Sequence, residues 1–452
     1  MFRLKEMFHK LVQTVKKVVA PVQDVLPALT IFIISYALLM AEKGNRVLVA
    51  CSGGLFMVVF GILDLNLVFF RYIDWHTIIL LLSMMIIVSI TSQSGMFEYA
   101  AVKTAQLVKG KPVPLLFLLS VLTAVGSAFL NNVTTVLLVT PVVFTLTNML
   151  QLKPVPFLMA VIITSNIGGT ATLIGDPPNL MIGQAAAGLT FNDFLVHLGP
   201  PALFIFILIT VGLVYYYRGE WRGKRGTEAG QQLQDLKASD YVTDKNLLFK
   251  SGVVLVLTIS AFMMQPLLHM EITAIAMAGA LLLLFLTKDE ADPEKVFQRM
   301  EWTTIFFFAG LFMLVGGLEE TGLLEELARG LIFMTEGEMT ATALSMLWIS
   351  GIVSGFVDNI PFVAAMIPVI LEMEGYGIGD LRPVWWALAL GACLGGNATL
   401  IGATANVIVA GLANKAGHGF SYMDFFKIGM PTAILSLFVS TIYIYFRYLL
   451  FY

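Results

Sequence analysis

Long apolar runs separated by short polar punctuation extend along the chain from Val25 to Tyr445. Runs of about 20 residues suit a helix crossing a ~30 Å hydrocarbon core. The weak ten-residue alternation of a membrane barrel is absent. The pattern therefore predicts an all-α polytopic membrane protein. Spans fall near 25–42, 46–66, 75–93, 155–187 and 196–217, then near 246–268, 271–287, 301–318, 383–413 and 426–449. Between the third and fourth spans of each set, 113–149 and 340–371 are too long for one crossing and carry polar residues midway, which predicts a re-entrant hairpin in each. Residues 1–20 alternate Lys and Arg with Phe, Leu, Met and Val at helical spacing, as an interfacial amphipathic helix does. The run that follows ends in Glu42-Lys43-Gly44-Asn45-Arg46 rather than a small-residue cleavage site, so it reads as a first span and not a removed signal peptide.

The two sets of spans superpose with a constant shift of 227 residues. Trp75 falls on Trp302, Gly95 on Gly322, Asn132 on Asn359, Pro141 on Pro368 and Pro156 on Pro383. GGTATLIG at 168–175 falls on GGNATLIG at 395–402, seven identities in eight. Five spans and one returning hairpin per half is an odd number of crossings, so the second half must insert upside down. The expected architecture is an inverted repeat, 25–217 and 246–450, joined by a hydrophilic cytoplasmic linker at 218–245.

Charge refines this picture. Only 13% of the 452 residues are charged, about half the share in a soluble domain, and 58% are hydrophobic. Of 27 Lys and Arg, 18 fall on the side that carries the linker, which places that side in the cytoplasm and the protein in the cell membrane. The five N-terminal positives fall on the opposite side, against that rule, unless their helix lies in the interface or one more crossing exists. A net charge of −3 and the lack of basic stretches interleaved with aromatics give no case for nucleic-acid binding. Cys51 and Cys393 have no partner spacing, so neither a disulfide framework nor a thiolate metal site follows.

Candidate chemistry gathers at the hairpin tips and at breaks in the fourth and ninth spans, where backbone polar groups can line a protein cavity. The tips are Leu130-Asn131-Asn132-Val133-Thr134-Thr135 and Val357-Asp358-Asn359-Ile360-Pro361-Phe362. The breaks are SNIGGTATLIGDPPN at 165–179, whose paired glycines, third glycine and Pro177-Pro178 are incompatible with a continuous helix, and the matching GGNATLIGATAN at 395–406. Unwound carbonyls, amides and hydroxyls can replace an ion's hydration shell, and half-helix N-termini favour anions. The candidate substrate- and ion-binding residues are Asn131, Asn132, Thr134, Ser165, Asn166, Gly169, Thr170, Thr172, Asp176, Asn179, Asp358, Asn359, Asn397, Thr399, Thr404 and Asn406. Close packing of small residues between helices would explain the glycines and threonines but not their occurrence in two related pairs. Asp176 and Asp358 are the only deep acids, and their repeat counterparts are Ala403 and Asn131. An intramembrane acid costs about 2.5–3.5 kcal/mol on insertion scales, so each needs a role, as a cation or proton ligand or as a helix cap. Asp64, Asp193, His197 and Asp424 lie near span ends and read as interfacial.

LNNVTTVLLVTP, SNIGGTATLIGDPPN, VDNIPFVAAMIP and GACLGGNATLIGATANVIVAG resemble the ArsB/NhaD permeases of the ion transporter superfamily over roughly residues 25–450. Within that group, with its citrate transporter-like domain, they are most similar to the branch containing the pink-eyed dilution P protein and its prokaryotic relatives. The resemblance implies a homodimeric elevator transporter in which hairpins and broken helices move as a block. It also implies a cation site at the shared tip residues Asn132 and Asn359, making these, with Asp176 and Asp358, candidate Na+ ligands. Related sodium/dicarboxylate symporters carry Ser-Asn-Thr at both tips, whereas this chain has Asn131-Asn132-Val133 and Asp358-Asn359-Ile360.

Several functions compete. The first is a secondary active transporter moving a small anion or weak acid with Na+ or H+ as coupling ion, with Na+/H+ antiport and an arsenite-type permease as variants; none needs a further cofactor. A passive anion channel would use the same lining. An intramembrane aspartyl protease built on Asp176 and Asp358 is disfavoured, because Leu173 stands where a glycine is needed and Pro201-Ala202-Leu203 precedes the second acid. The expectation is therefore no enzyme.

Overall fold

The computed structural model describes residues 22–41, 45–109, 111–221, 237–375 and 380–450. The expected helix at 1–20 and most of the linker lie outside them. Every regular element among the described residues is helical. In chain order the main helices are α1 (Val22–Ala41), α2 (Arg46–Val59), α3 (Trp75–Gln93), α4 (Met96–Leu107), α5 (Pro112–Leu130), α6 (Asn132–Met149), α7 (Val155–Thr170), α8 (Pro177–Ala185) and α9 (Phe191–Tyr217). They continue with α10 (Lys245–Met263), α11 (Ile272–Leu286), α12 (Trp302–Glu320), α13 (Leu323–Met334), α14 (Met339–Phe356), α15 (Asn359–Gly375), α16 (Arg382–Gly395), α17 (Thr404–Lys415) and α18 (Tyr422–Ile444).

Six successive helix starts recur 227 residues apart: 75 and 302, 96 and 323, 112 and 339, 132 and 359, 155 and 382, 177 and 404. The last pair departs from that spacing, with α9 starting at 191 and α18 at 422. Each of these two helices opens with a capping box, Thr190 with Asp193 and Ser421 with Asp424, in which hydroxyl and carboxylate satisfy backbone N–H groups that the first turn leaves open. Asp64 similarly accepts from Asn66 N at 2.8 Å. These three acids serve helix ends, as their interfacial positions suggested.

Eight helices among the described residues are long and apolar enough to cross a membrane: α3, α5, α6, α9, α10, α12, α14 and α18. Three of the eight, α5, α6 and α14, lie in the segments expected to be hairpins, because the polar interruption occupies only a residue or two and leaves a full helix on each arm. Four expected spans contain shorter apolar helices instead, at Val25–Leu39, Arg46–Val59, Val155–Thr170 and Ile272–Leu286.

The chain divides into two compact units. One comprises the described residues up to Ile78, with Glu301–Thr342 and Ala364–Leu381. Here α12 packs on α2 and α1, and the Cys51 thiol donates to the Phe306 carbonyl at 3.3 Å. Arg71 binds Glu319 at 2.8 Å and Glu320 at 3.5 Å, and the Tyr72 hydroxyl also donates to Glu320.

The other unit comprises Ile79–Met300, Ala343–Val363 and Arg382–Tyr452 and holds both hairpin tips and both breaks. Its centre is α7 and α16, which touch each other and are buried on every side from Pro156 to Thr170 and from Pro383 to Gly395. Burial on every side places these two helices in the protein core, enclosed by their neighbours.

A candidate ion and substrate site at two helix breaks

The chain leaves helical geometry after α7 at Thr170 and resumes at Pro177, and leaves it after α16 at Gly395 to resume at Thr404. Local chemistry dictates both breaks. Paired glycines weaken the last turn, and Pro177-Pro178 occupy the first turn of α8, where a missing N–H costs nothing. Glycine is required at Gly168 and Gly395 for a second reason. A Cβ there would sit 2.2 Å from the Ala124 carbonyl oxygen and 2.3 Å from that of Gly351, so only glycine lets each broken helix lie against its hairpin.

Matching hydrogen bonds then fasten each break to a hairpin. The Ser127 hydroxyl donates to the Ser165 carbonyl at 2.6 Å, and the Ser354 hydroxyl to the Ala392 carbonyl at 2.5 Å. Thr172 donates to Ala128 O, and Thr399 to Gly355 O at 2.6 Å. Asn179 gives its amide N–H groups to the carbonyls of Thr172 at 2.9 Å and Thr170 at 3.1 Å, while Asn406 reaches those of Thr399 at 2.9 Å and Gly396 at 2.8 Å. The donors of Thr172 and Thr399 are thus committed to the hairpin arms and those of Asn179 and Asn406 to the breaks, a bracing role distinct from lining a cavity. Ser165 and Thr170 likewise donate within their own helix, to Ile162 O and Asn166 O at 2.8 Å each.

What remains gathers into one buried polar cluster. Asn359, at the second tip, donates to both Asp176 oxygens, at 3.2 and 3.4 Å. Asn132 and Cys393 lie beside the Asp176 carboxylate, the Cys393 thiol donating to Asn179 Oδ1 at 3.5 Å, and Asp358 is close enough to repel it. Asp176 is only 1% exposed and makes no side-chain cap to α8, so the helix-cap explanation fails for it. Asn132, at the first tip, donates to Asn166 Oδ1 at 3.3 Å, and its backbone N–H bonds Gly175 O at 3.1 Å. Asn166 in turn donates to Asn397 Oδ1 and Asn406 Oδ1, at 2.9 Å each.

Asp358 has a different setting. One carboxylate oxygen accepts the Thr404 hydroxyl at 2.6 Å, and the other accepts Ile360 N at 3.2 Å, so it caps its own hairpin arm while tying it to the second break. Asn131, at φ 80°, caps α6 through Val133 N, and Thr134 is half-buried on the first turn. Gly169 packs against Gly175 and Ser127 and offers no side chain. Cys393, Ser127 and Ser354 escaped the sequence reading. The repeat register was the signal for Cys393, since it occupies the slot of Asn166 in the other half.

Comparison with known proteins agrees with a membrane transporter. Residues 36–391 match the family model described as "Citrate transporter". A 46 kDa membrane protein of Mycobacterium leprae is 40% identical over 429 residues, covering 93% of this chain and 98% of that protein. A protein of Mycobacterium tuberculosis named as an uncharacterized transporter is 40% identical over 432 residues, 93% of this chain and 98% of its own length. The human P protein is 35% identical over 488 aligned residues, spanning 90% of this chain but 58% of the relative. Among solved structures, the YdaH transporter of Alcanivorax borkumensis superposes with a TM-score of 0.56 at 14% identity, covering 93% and 97% of the two chains. The antimetabolite efflux pump MtrF of Neisseria gonorrhoeae gives 0.53 at 12%, covering 88% and 85%. Those two likenesses concern the fold alone. With a buried polar cluster between helix breaks, an all-helical apolar architecture and relatives that align nearly end to end, the chain belongs to the citrate transporter family of membrane transporters, which are not enzymes.

Proposed function

We propose that the protein is a secondary active transporter that moves a small anion or weak acid coupled to Na+ or H+, with Asp176 at the cation site. The observation that carries this reading is the environment of Asp176. A carboxylate 1% exposed is contacted by two amides and a thiol, with a second carboxylate nearby and no basic group among those partners. Burying an unpaired carboxylate costs several kcal/mol, so the site calls for a proton or a metal cation to complete it. Asn132 and Asn359 supply neutral oxygens and donors around it, and the N-termini of α8 and α17 present partial positive charge for an anionic substrate.

The inverted relation of the halves and an elevator motion of the unit that holds the tips and breaks belong to the same proposal, as do the ArsB/NhaD kinship, a homodimer and residence in the cell membrane. The recurring helix starts and the recurring hairpin bolts support a duplicated origin. Membership of the citrate transporter family makes citrate one anion to try, although neither tip reads Ser-Asn-Thr.

The test is flux into proteoliposomes under imposed Na+ and pH gradients, with citrate, dicarboxylates, inorganic anions and arsenite as substrates. Uptake that follows one cation gradient, and is lost in Asp176→Asn, is the expected result. Flux at channel rates that ignores both gradients would replace this reading with a passive pore.

A further inference from the structure

The two hairpin tips place Asn131 and Asp358 at equivalent positions under the 227-residue shift. Both do the same local work. Asn131 Oδ1 accepts Val133 N at 2.8 Å, and Asp358 Oδ1 accepts Ile360 N at 3.2 Å, so each caps the first turn of its own hairpin arm. The two side chains differ in their second terminal atom. For Asp358 it is an oxygen, which accepts the Thr404 hydroxyl at 2.6 Å and ties the second tip to the second break. For Asn131 it is the NH2 group, because the oxygen must face the Val133 N–H. That NH2 donates to no group among the described residues, and the side chain is half-buried at the tip.

Neither the turn nor the cap accounts for asparagine here. The tip is a single residue between α5 and α6, at φ 80° and ψ 143°, a region that glycine adopts freely and other residues only under strain. The cap is duplicated, since Asn132 Oδ1 accepts the same Val133 N at 2.7 Å. Glycine at 131 would relieve the backbone and leave Val133 N satisfied. What it would remove is the amide donor. Asn132 lies beside Asp176, and its backbone N–H bonds Gly175 O at 3.1 Å, which fixes the strained tip against the break that carries the acid. An amide NH2 is a neutral donor that accepts nothing, so it suits an anionic oxygen and not a cation.

We infer that the Asn131 NH2 group is the substrate-binding donor of the first tip, and that it contacts a carboxylate or inorganic oxyanion group of the substrate beside the cation held at Asp176. Resting on the anion-transport reading above, this gives the two tips different roles: Asn131 recognises the anion, and Asp358 holds the second break. The negative charge of Asp176 opposes an anion at this tip, and Asp358 adds to it. Substrate therefore binds there with the Asp176 charge balanced by the cation, which couples the two.

The test is initial uptake into proteoliposomes of the full chain, with labelled citrate, succinate and sulfate as probes at a saturating level of the cation that drives flux. Asn131→Gly should raise KM for the transported anion by about tenfold or more, the loss expected for one hydrogen bond to a charged group, while its melting temperature in detergent equals or exceeds that of wild type. Half-saturation by the driving cation should stay within about threefold in that variant. Asn131→Asp keeps the shape and the cap, installs the residue type of position 358 and puts an acceptor where the donor stood, so uptake should fall further at an unchanged melting temperature. It also keeps the test decisive if Asn131→Gly fails to fold. A wild-type KM in Asn131→Gly, or full uptake by Asn131→Asp, overturns the role of Asn131 and leaves coupled transport standing. Flux that ignores both gradients overturns the coupling alone, since the anion KM of each variant is still read. No flux of any of the three anions removes the anion reading and this inference together.

Discussion

At Asp176 the carboxylate is held by the Asn359 amide at 3.2 and 3.4 Å, with Asn132 and Cys393 alongside. Asp176→Asn keeps the volume and removes the charge, so the protein should remain folded by size-exclusion profile and melting temperature. Cation-coupled flux should be lost, and undiminished, still cation-dependent transport would show that the coupling site lies elsewhere. Asn166 is a different case, because its amide joins two helix breaks. Asn166→Ala strands the buried acceptors of Asn397 and Asn406 and should cost about 1–3 kcal/mol of stability, read as a lower melting temperature in detergent. Gly168→Ala pushes a Cβ into the Ala124 carbonyl, a backbone atom that cannot swing away. Overpacking of this kind costs about 1–3 kcal/mol, and a melting temperature equal to wild type would show that the hairpin and the break are not in rigid contact.

Among the elements, the two hairpins fasten to the two breaks with the same set of bonds. Ser127 and Ser354 do equivalent work on α7 and α16, each bonding a carbonyl 38 positions further along the chain. Ser127→Ala and Ser354→Ala should each lower stability by about 0.5–1.5 kcal/mol, and the double variant by close to their sum, since the bolts share no partner. Strong non-additivity in thermal unfolding would indicate that the bolts act through a common strained region. Helix starts were legible in advance because proline, glycine and Ser/Thr-Asp caps act through the nearest few residues. Hairpin arms were harder to place, since apolar length alone does not distinguish an arm from a span.

For the molecule as a whole, exposed apolar side chains are abundant, among them Phe70, Phe333 and Leu267 at 88%, 86% and 76% exposure. A soluble monomer does not carry so much uncovered apolar surface, and a bilayer is the solvent that suits it. Purified protein should stay monodisperse in detergent or nanodiscs and aggregate when the amphiphile is removed, as followed by light scattering; a stable monomer in plain buffer would contradict the membrane assignment. The Arg71 ion pairs with Glu319 and Glu320 are partly exposed, with side-chain exposures of 31–40%, so Arg71→Ala should cost less than about 1 kcal/mol and leave expression unchanged.

The sequence by itself determined the membrane class, the 227-residue duplication, the two tips and the two breaks. Each of these is written in hydrophobic period or in the backbone preferences of glycine and proline, which act locally. Only the tertiary structure decided which polar residues meet. It separated the bracing amides Asn179 and Asn406 from Asn359 at the acid, drew Cys393 to Asp176, and made Asp358 a helix cap bound to Thr404. A hydrogen bond between residues 183 positions apart, such as Asn359 to Asp176, leaves no trace in local periodicity, because the helices that carry the two side chains are brought together by packing alone.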